Sequence, residues 1–266
     1  MAYLSPQINV MVAAARKAAR GLVRDFGEVE QLQVSLKGTN DFVTAADVKA
    51  EQVLYRELKK ARPDYGFVGE ESGTEVGRDT ANRWIIDPLD GTTNFLHGIP
   101  HFSISIGLER DGEVIAGVVF NPVTDEMFYG EKGLGAFLNS RRLRVSARRK
   151  LDECVVVTGI PHLGRPGHDE FLGQLKAVMG ATAGVRRTGS AALDLAFVAA
   201  GRFDAFWEMN LSAWDLAGGL VLVREAGGYV GEVDGGRDVL GTGSVLAAND
   251  HIHQPLGDLL RAAKPK

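Results

Sequence analysis

Acidic side chains are the residues of this sequence whose types and spacing could do chemistry, and the densest group lies in the stretch WIIDPLDGTTNF, residues 84–95. An apolar run ends there at Asp87, and Asp90 follows three residues later. Two carboxylates at the end of a strand can share a hard divalent cation, and magnesium prefers such oxygen ligands. We predict that Pro88 ends the strand, because proline cannot donate a hydrogen bond to a sheet. Alternatively, both aspartates could simply form turns, since Asp-Pro and Asp-Gly are common turn dipeptides.

Two further acidic segments could contribute to the same chemistry. The apolar residues 67–69 lead into Glu70 and Glu71, and Trp214-Asp215 begins a segment with a helical pattern. Each segment has a structural alternative. The glutamates could lie in a solvated loop, and Asp215 could be a helix cap or a first-turn acid, where the helix dipole favours negative charge.

The hydrophobic pattern predicts the elements that must position these acids. Helical spacing predicts a helix from about Ile8 to Phe26 and another over 48–61, preceded by Thr44 and Asp47 as a capping pair. Strand-like runs between residues 102 and 131 are separated by turn sequences and predict an antiparallel meander. The second half predicts a mixed sheet with flanking helices: strands at 153–159, 202–209 and 245–249, and helices at 169–179, 191–200, 214–226 and the carboxyl terminus.

Composition narrows the class of protein. The chain has 266 residues, 45% of them hydrophobic, and a net charge of −4, which gives no whole-protein reason to expect nucleic-acid or membrane binding. Cys154 is the only cysteine, so an internal disulfide is excluded. The sequence lacks both an apolar run of roughly 18 residues, the length that spans a bilayer, and the features of a signal peptide. We therefore expect a cytoplasmic protein.

Taken together, the motifs resemble those of a known family. WIIDPLDGTTNF, GEES at 69–72 and WDLAGG at 214–219 resemble the inositol monophosphatase family of magnesium-dependent, lithium-sensitive phosphatases. The likeness extends over nearly the whole chain through TAAD at 44–47, EAGG at 225–228 and VLAAN at 245–249. It implies an α+β or α/β fold, a layered αβαβα sandwich with an antiparallel N-terminal sheet and a mixed C-terminal sheet. It also implies a homodimer.

The resemblance further implies which residues do the chemistry. Two or three magnesium ions would be held by Glu70, Asp87, the carbonyl of Leu89, Asp90 and Asp215. Glu70 and Thr92 would lie around the attacking water, and Asp47 would approach the water shell of a further ion, so these three residues are the catalytic candidates. Thr92 could instead only close the Asp-Gly turn with its hydroxyl. Glu71 should face elsewhere, because neighbouring side chains of a strand point to opposite faces.

Substrate contacts are implied in both halves of the chain. If a helix begins at Gly91, the backbone N–H groups there could bind the phosphate. The segment RTGSAA at 187–192 resembles the family's polyol-binding segment, with Ser190 in place of the commoner threonine. Ser190 could instead cap a helix, and Glu208 could be an ordinary surface residue. The full set of implied substrate-binding residues is Gly91, Thr92, Gly189, Ser190, Ala191, Glu208 and Asp215. The resemblance also implies that Lys37-Gly38 belongs to a loop that could approach the phosphate through its lysine.

A soft domain boundary lies where RRLRVSARRK, residues 141–150, interrupts the hydrophobic pattern. The resemblance then places most metal ligands in an N-terminal half, residues 1–145, and Asp215 with the substrate-binding segment in a C-terminal half, residues 146–266. The basic run could contact RNA or an acidic protein. Alternating basic residues on an exposed strand more usually form a solvated face, and the run has no aromatic residues for base stacking.

The implied reaction is the magnesium-dependent hydrolysis of myo-inositol monophosphate to inositol and phosphate by metal-activated water, without a covalent phosphoenzyme. One alternative is a related sugar phosphatase that acts on fructose 1,6-bisphosphate, histidinol phosphate or an adenosine bisphosphate. Another is a regulatory partner in an RNA or transcription complex that retains the fold. Against this, an unused cluster of carboxylates would repel itself without a metal. The expected partner is therefore a small phosphorylated polyol or sugar, with no membrane association.

Overall fold

The computed structural model describes residues 4–29, 34–37, 41–162 and 164–264, and gives only the backbone of 34–37 and 41–44. These residues form helices and strands, and the first half of the chain contains runs of consecutive strands. The helices are α1 (Pro6–Phe26), α2 (Ala45–Ala61), α3 (Thr92–Leu96), α4 (His168–Ala181), α5 (Ala191–Ala199), α6 (Ala213–Glu225), α7 (Val239–Thr242) and α8 (Asp250–Ala262). The strands are β1 (Val34–Lys37), β2 (Asp41–Thr44), β3 (Tyr65–Gly69), β4 (Gly73–Glu75), β5 (Asp79–Asp90), β6 (Ser103–Arg110), β7 (Glu113–Asn121), β8 (Glu126–Glu131), β9 (Gly135–Leu138), β10 (Arg141–Arg142), β11 (Val155–Thr158), β12 (Gly184–Arg186), β13 (Ala205–Glu208), β14 (Tyr229–Gly231) and β15 (Val245–Ala248).

Helices α1 and α2 form the first layer and cover one face of the first sheet. The Ser5 hydroxyl accepts a hydrogen bond from the Ile8 N–H at 3.2 Å, and Pro6 occupies the first turn, which together fix the start of α1. Of the stripe predicted for this helix, Ile8, Ala15, Ala19 and Leu22 are buried, whereas Val12 and Phe26 are half-buried. Met11, Ala14 and Ala18 widen the buried face. The stripe packs with α2 against the inner face of the sheet.

The first sheet joins eight strands of the described chain in the order β10-β9-β8-β7-β6-β5-β3-β4. The meander β6-β7-β8 is antiparallel, as predicted. One pair differs, because β3 and β5 run parallel with Gly69 beside Ile86. Parallel strands end at the same edge of a sheet, so this pair places Glu70 next to Asp87.

The prediction that Pro88 ends its strand is wrong. Strand β5 continues to Asp90, and its register with β6 shifts between Asp87 and Asp90. Proline is compatible with such an irregularity, because the local ladder does not need the missing N–H group.

Helices α5 and α6 form the middle layer, between the two sheets. Small residues allow α6 to lie very close to the first sheet. A Cβ atom added at Gly117 would lie 2.2 Å from the carbonyl oxygen of Gly218, and one added at Gly107 would lie 2.6 Å from Ala217 Cβ. The close contact holds the first turn of α6, which carries Asp215, against the edge of the sheet where β5 ends.

The second sheet has the order β12-β11-β13-β15-β14 among the described residues and is mixed, as predicted. Strands β12 and β13 run parallel to β11, whereas β15 is antiparallel to both β13 and β14. Helices α4 and α8 cover its outer face. The result is the helix, sheet, helix, sheet, helix layering that the resemblance implied.

The middle core joins both halves of the chain. It contains Val119 and Phe128 from the first sheet together with Leu195, Leu220 and Val245 from the second half. The division at residue 145 therefore stays a prediction. In the part of the chain that the structure describes, no helix has the length and apolar character needed to cross a bilayer.

Candidate active site

Three aspartates from distant parts of the chain converge at one edge of the first sheet. Asp87, Asp90 and Asp215 each offer one carboxylate oxygen, and these oxygens all lie within 4.8 Å of one another. Asp87 and Asp90 come from the end of β5, whereas Asp215 comes from the first turn of α6. Asp87 is only 2% exposed and Asp90 8%, so water does little to screen their mutual repulsion.

The turn that follows β5 is closed by its own side chains. The Leu89 N–H donates to Asp87 Oδ1 at 2.8 Å, and the Thr92 hydroxyl donates to the Leu89 carbonyl at 3.0 Å. Gly91 has a φ of 99°, a conformation that favours glycine, and helix α3 begins immediately after it. The structure thus has Thr92 closing the turn, and it also brings its hydroxyl to the one carbonyl that the resemblance assigned to a metal.

Glu70 joins the aspartates through the parallel pair of strands. It follows the last residue of β3, its N–H donates to the Ile86 carbonyl at 3.3 Å, and its side chain hydrogen-bonds to Asp87. Burial raises the pKa of Glu70 to about 8, and the negative charges of Asp215, Asp47 and Glu71 add to the effect. Asp47 is itself buried in the first turn of α2, and Glu71 contributes repulsion although it was expected to face away.

Asp90 connects the end of β5 to the start of α5. Its carboxylate accepts hydrogen bonds from the Ser190 hydroxyl, from the Ala191 N–H at 3.2 Å and from the Ala192 N–H at 2.8 Å. The hydroxyl of Ser190 is thus used on Asp90, and Asp90 supplies the negative charge that the start of a helix favours. Burial raises the pKa of Asp90 to about 6, although these hydrogen bonds oppose the rise.

Asp215 also has a capping role. Its carboxylate accepts a hydrogen bond from the Ser212 N–H at 2.7 Å, and the two residues form a reciprocal capping box at the start of α6. Asp215 therefore stabilises the start of its helix, as the structural alternative proposed, and it also converges on Asp87 and Asp90. Burial raises the pKa of Asp87 well above its usual range, and repulsion from Glu70, Asp90 and Asp215 adds to it.

A cavity opens from the aspartates toward the second sheet. It is lined by Asp90 and Asp215 together with the predicted residues Gly189, Ser190, Ala191 and Glu208. Gly91 and Thr92 are not part of its lining.

Glu208 lies at the end of β13 and faces the cavity instead of the outer surface. Burial raises its pKa to about 8, with repulsion from Asp215 and Asp90 next and a smaller opposing effect of Arg165 and Arg187. A Cβ atom at Gly159 would lie 1.8 Å from Glu208 Oε1, so the carboxylate needs a glycine beside it.

Several residues of the site were not singled out by the sequence. Arg165, Arg187 and Asp194 also line the cavity, and Asp194 is 1% exposed. The available signal for Asp194 was a single acid in the apolar helix α5. Glu51, 3% exposed, accepts hydrogen bonds from the N–H groups of Glu71 at 2.9 Å and Ser72 at 2.7 Å, and so holds the loop that carries Glu70.

Two other segments were predicted to have a function: the loop at Lys37-Gly38 and the basic run 141–150. Lys37 ends β1, but its side chain and the whole of Gly38 lie outside the described residues. In the basic run, Arg148 donates to Asp204 at 3.0 Å, and the amide of Asn249 donates to the carbonyls of Ser146 and Arg148. Part of the run is thus fixed to the surface of the second half.

The donor set suits a hard divalent cation. Asp87, Asp90 and Asp215 offer carboxylate oxygens within reach of one another, and Glu70 adds a fourth carboxylate beside Asp87. Such oxygen ligands match magnesium, and crowded buried carboxylates with raised pKa values are relieved by a cation or by protons.

Comparisons with known proteins agree with this architecture. A family model described as the inositol monophosphatase family matches residues 4–264. The inositol-1-monophosphatase of Rhizobium meliloti (strain 1021) is 58% identical over 261 residues, with 98% of each chain covered. A protein of Pseudomonas aeruginosa named Nus factor SuhB is 43% identical over 257 residues, with 95% of each chain covered. The crystal structure of extragenic suppressor protein suhB from Bartonella henselae has a TM-score of 0.94 and 56% identity, over 97% of this chain and 99% of that one.

Proposed function

The chain belongs to the inositol monophosphatase family, and on this basis we propose that it hydrolyses myo-inositol monophosphate to inositol and phosphate in a magnesium-dependent reaction. It is a phosphoric monoester hydrolase. The observation that carries the proposal is the convergence of Asp87, Asp90 and Asp215, the last two of which line a cavity that also offers polar groups to a polyol. The name of the relative that is 58% identical supports inositol phosphate as the substrate.

Two or three magnesium ions would be held by Glu70, Asp87, the Leu89 carbonyl, Asp90 and Asp215. Bound there, the ions would neutralise the phosphoryl oxygens, acidify water and stabilise the leaving alkoxide. The arrangement of donors supports this assignment, because the Glu70 carboxyl lies beside Asp87 and the three aspartates offer oxygens within 4.8 Å of one another. Asp47 lies close enough to Glu70 to raise its pKa, which fits a role at the rim of the same site.

Glu70 and Thr92 would orient the attacking water. The Glu70 carboxylate would accept a proton from that water. The Thr92 hydroxyl, which donates to the Leu89 carbonyl in this structure, would hydrogen-bond to the oxygen of the water. Attack would be in line with the leaving oxygen and would form no covalent phosphoenzyme. The phosphate would accept hydrogen bonds from the backbone N–H groups of Gly91 and Thr92 at the start of α3.

The polyol would occupy the cavity between the aspartates and Glu208. Backbone groups of Gly189 and Ala191 would bind its hydroxyls, and Glu208 would accept a hydrogen bond from another. Ser190 could only accept from the substrate, because its hydroxyl proton is donated to Asp90. Asp215 would contact the hydroxyl nearest to the phosphate. A homodimer, lithium sensitivity and a cytoplasmic location are further proposals that follow from the family.

Phosphate release by the purified protein tests this function. With magnesium present, kcat/KM should be highest for inositol 1-phosphate in a panel that includes fructose 1,6-bisphosphate and histidinol phosphate. A higher value for either of the other esters would favour a related sugar phosphatase. Absence of turnover with every ester would favour the regulatory alternative, which the name of the Pseudomonas aeruginosa relative motivates.

A further inference from the structure

Asn94 is a buried amide that joins two segments of the site but has no role in the proposed chemistry. It lies in α3, four residues after Asp90, and is 4% exposed. Its Nδ2 donates to the His101 carbonyl at 2.7 Å and to the Thr188 carbonyl at 2.9 Å, with a longer contact to the Gly189 carbonyl at 3.4 Å. Both N–H groups of one side chain are thus used on backbone oxygens.

The two segments that Asn94 joins also touch directly. A Cβ atom at Gly91 would lie 3.2 Å from the Gly189 carbonyl, and one at Gly189 would lie 3.1 Å from Asn94 Nδ2. Both glycines have positive φ, 99° and 90°. The turn 90–94 and the segment 188–192 therefore meet without room for a larger side chain, and the hydrogen bonds from 190–192 to Asp90 continue the same contact.

Thr188 is held from its other side as well. Its hydroxyl donates to Asp194 Oδ1, and Asp194 is 1% exposed in the first turn of α5. The segment that lines the cavity at Gly189 is thus fixed by an amide from the first half of the chain and by a carboxylate from the second.

We propose that Asn94 is a positioning residue that sets the location of the polyol relative to the scissile phosphate. It does so by holding the carbonyls of Thr188 and Gly189 at a fixed place beside the turn that carries Asp90. A neutral amide fits this position, because its two N–H groups can donate to neighbouring carbonyl oxygens, whereas a carboxylate would be repelled by them. This inference deepens the proposed function and rests on it.

Steady-state kinetics of Asn94→Asp test the proposal with two kinds of ester. For inositol 1-phosphate, KM should rise about tenfold or more, because lost bonds to a buried segment misplace the ring. For p-nitrophenyl phosphate, which has no polyol to place, kcat/KM should change much less. A merely structural role would lower kcat/KM by the same factor for both esters. The substrate preference of the wild type tests the proposed function separately. If the wild type prefers another polyol phosphate, the effect of Asn94→Asp is measured with that ester and with p-nitrophenyl phosphate.

Asn249→Asp is a matched control. Asn249 is 2% exposed, and its Nδ2 likewise donates to two backbone carbonyls, those of Ser146 at 2.7 Å and Arg148 at 2.8 Å, but it lies at the start of α8. The Asn249→Asp variant should have a lower melting temperature than the wild type but the same KM. If Asn94→Asp does not fold, Asn94→Ser decides, because a single hydroxyl can donate to only one of the carbonyl oxygens and the variant should also raise KM for the polyol ester. An unchanged KM in the folded variant, or an equal loss for both esters, would overturn the proposal.

Discussion

At the scale of single residues, the acids of the site have structural and chemical roles at the same time. Asp87 closes a turn, Asp90 meets the start of α5 and Asp215 caps α6, yet their oxygens converge within 4.8 Å. A carboxylate can do both, because its two oxygens have about four lone-pair sites. The motifs of the sequence predicted the acids themselves. They did not predict these bonds, since the partners lie about 100 residues away for Asp90.

Repulsion among the acids predicts the behaviour of Asp87→Asn in protein without divalent cations. The amide oxygen can still accept from the Leu89 N–H, whereas the charge that faces Glu70, Asp90 and Asp215 disappears. The free energy of unfolding in a chelator should rise, because the repulsion that raises the pKa of Asp87 is removed, while phosphatase activity falls. Urea denaturation measures the change. Asp152→Asn, at an exposed position, is the control and should have no effect; a destabilised Asp87→Asn would contradict the account.

Glu208 predicts a pH dependence of stability. Its pKa is raised from 4.5 to about 8, so between these values the folded chain holds a proton that the unfolded chain has released. The free energy of unfolding should therefore fall as pH rises through this window. In chelator, the loss of stability between pH 5.5 and pH 8.5 should be smaller in Glu208→Gln than in the wild type. Glu113→Gln, at an exposed strand end, should leave the wild-type slope. The same slope in Glu208→Gln as in the wild type would argue against a raised pKa of Glu208.

At the scale of elements, the decisive feature is the parallel pairing of β3 with β5. Hydrophobic runs predicted both strands, but a run has the same pattern in either direction, so the sequence did not reveal that Glu70 and Asp87 share an edge. Helix α2 belongs to the same arrangement. It carries Asp47 and Glu51 one turn apart, and Glu51 holds the N–H groups of the loop after β3.

Glu51→Gln should therefore weaken cation binding without contributing a ligand. A glutamine offers one oxygen where two N–H groups need acceptors, so the loop that carries Glu70 should loosen. We expect the affinity for magnesium, measured by calorimetry, to fall about tenfold, as for other residues that orient ligands. Glu57→Gln in the same helix, where the side chain pairs with Lys17 at the surface, is the control. Equal affinities in the two variants would separate α2 from the site.

The contact of α6 with the first sheet predicts a large effect of one methyl group. A Cβ at Gly117 would lie 2.2 Å from the Gly218 carbonyl, so Gly117→Ala must displace the helix that carries Asp215. The free energy of unfolding should fall by about 1–3 kcal/mol, and activity should fall with it. Gly21→Ala in α1, where nothing lies within 4 Å of the new atom, should not destabilise the protein. A full-activity, full-stability Gly117→Ala would show that α6 is not held as described.

At the scale of the whole molecule, the site exists because five layers share their cores. Acids from the first sheet meet Asp215 and the cavity segment because α5 and α6, from the second half, pack on that sheet. Periodicity predicted most helices and the antiparallel meander, and the layering followed from the resemblance. The sequence did not predict the cavity residues Arg165 and Asp194, nor the hydrogen bonds by which Asn94 joins the turn 90–94 to the segment 188–192. These roles depend on contacts between segments that no local pattern encodes.

Phosphate release from inositol 1-phosphate, measured against magnesium concentration for the wild type and Asp90→Asn, tests the central claim most directly. We predict that turnover by the wild type requires magnesium and that Asp90→Asn lowers kcat/KM at least about 100-fold. Removing a metal ligand should reduce activity more than removing a residue that only orients a ligand. Turnover by the wild type in chelator, or unchanged activity in Asp90→Asn, would contradict it.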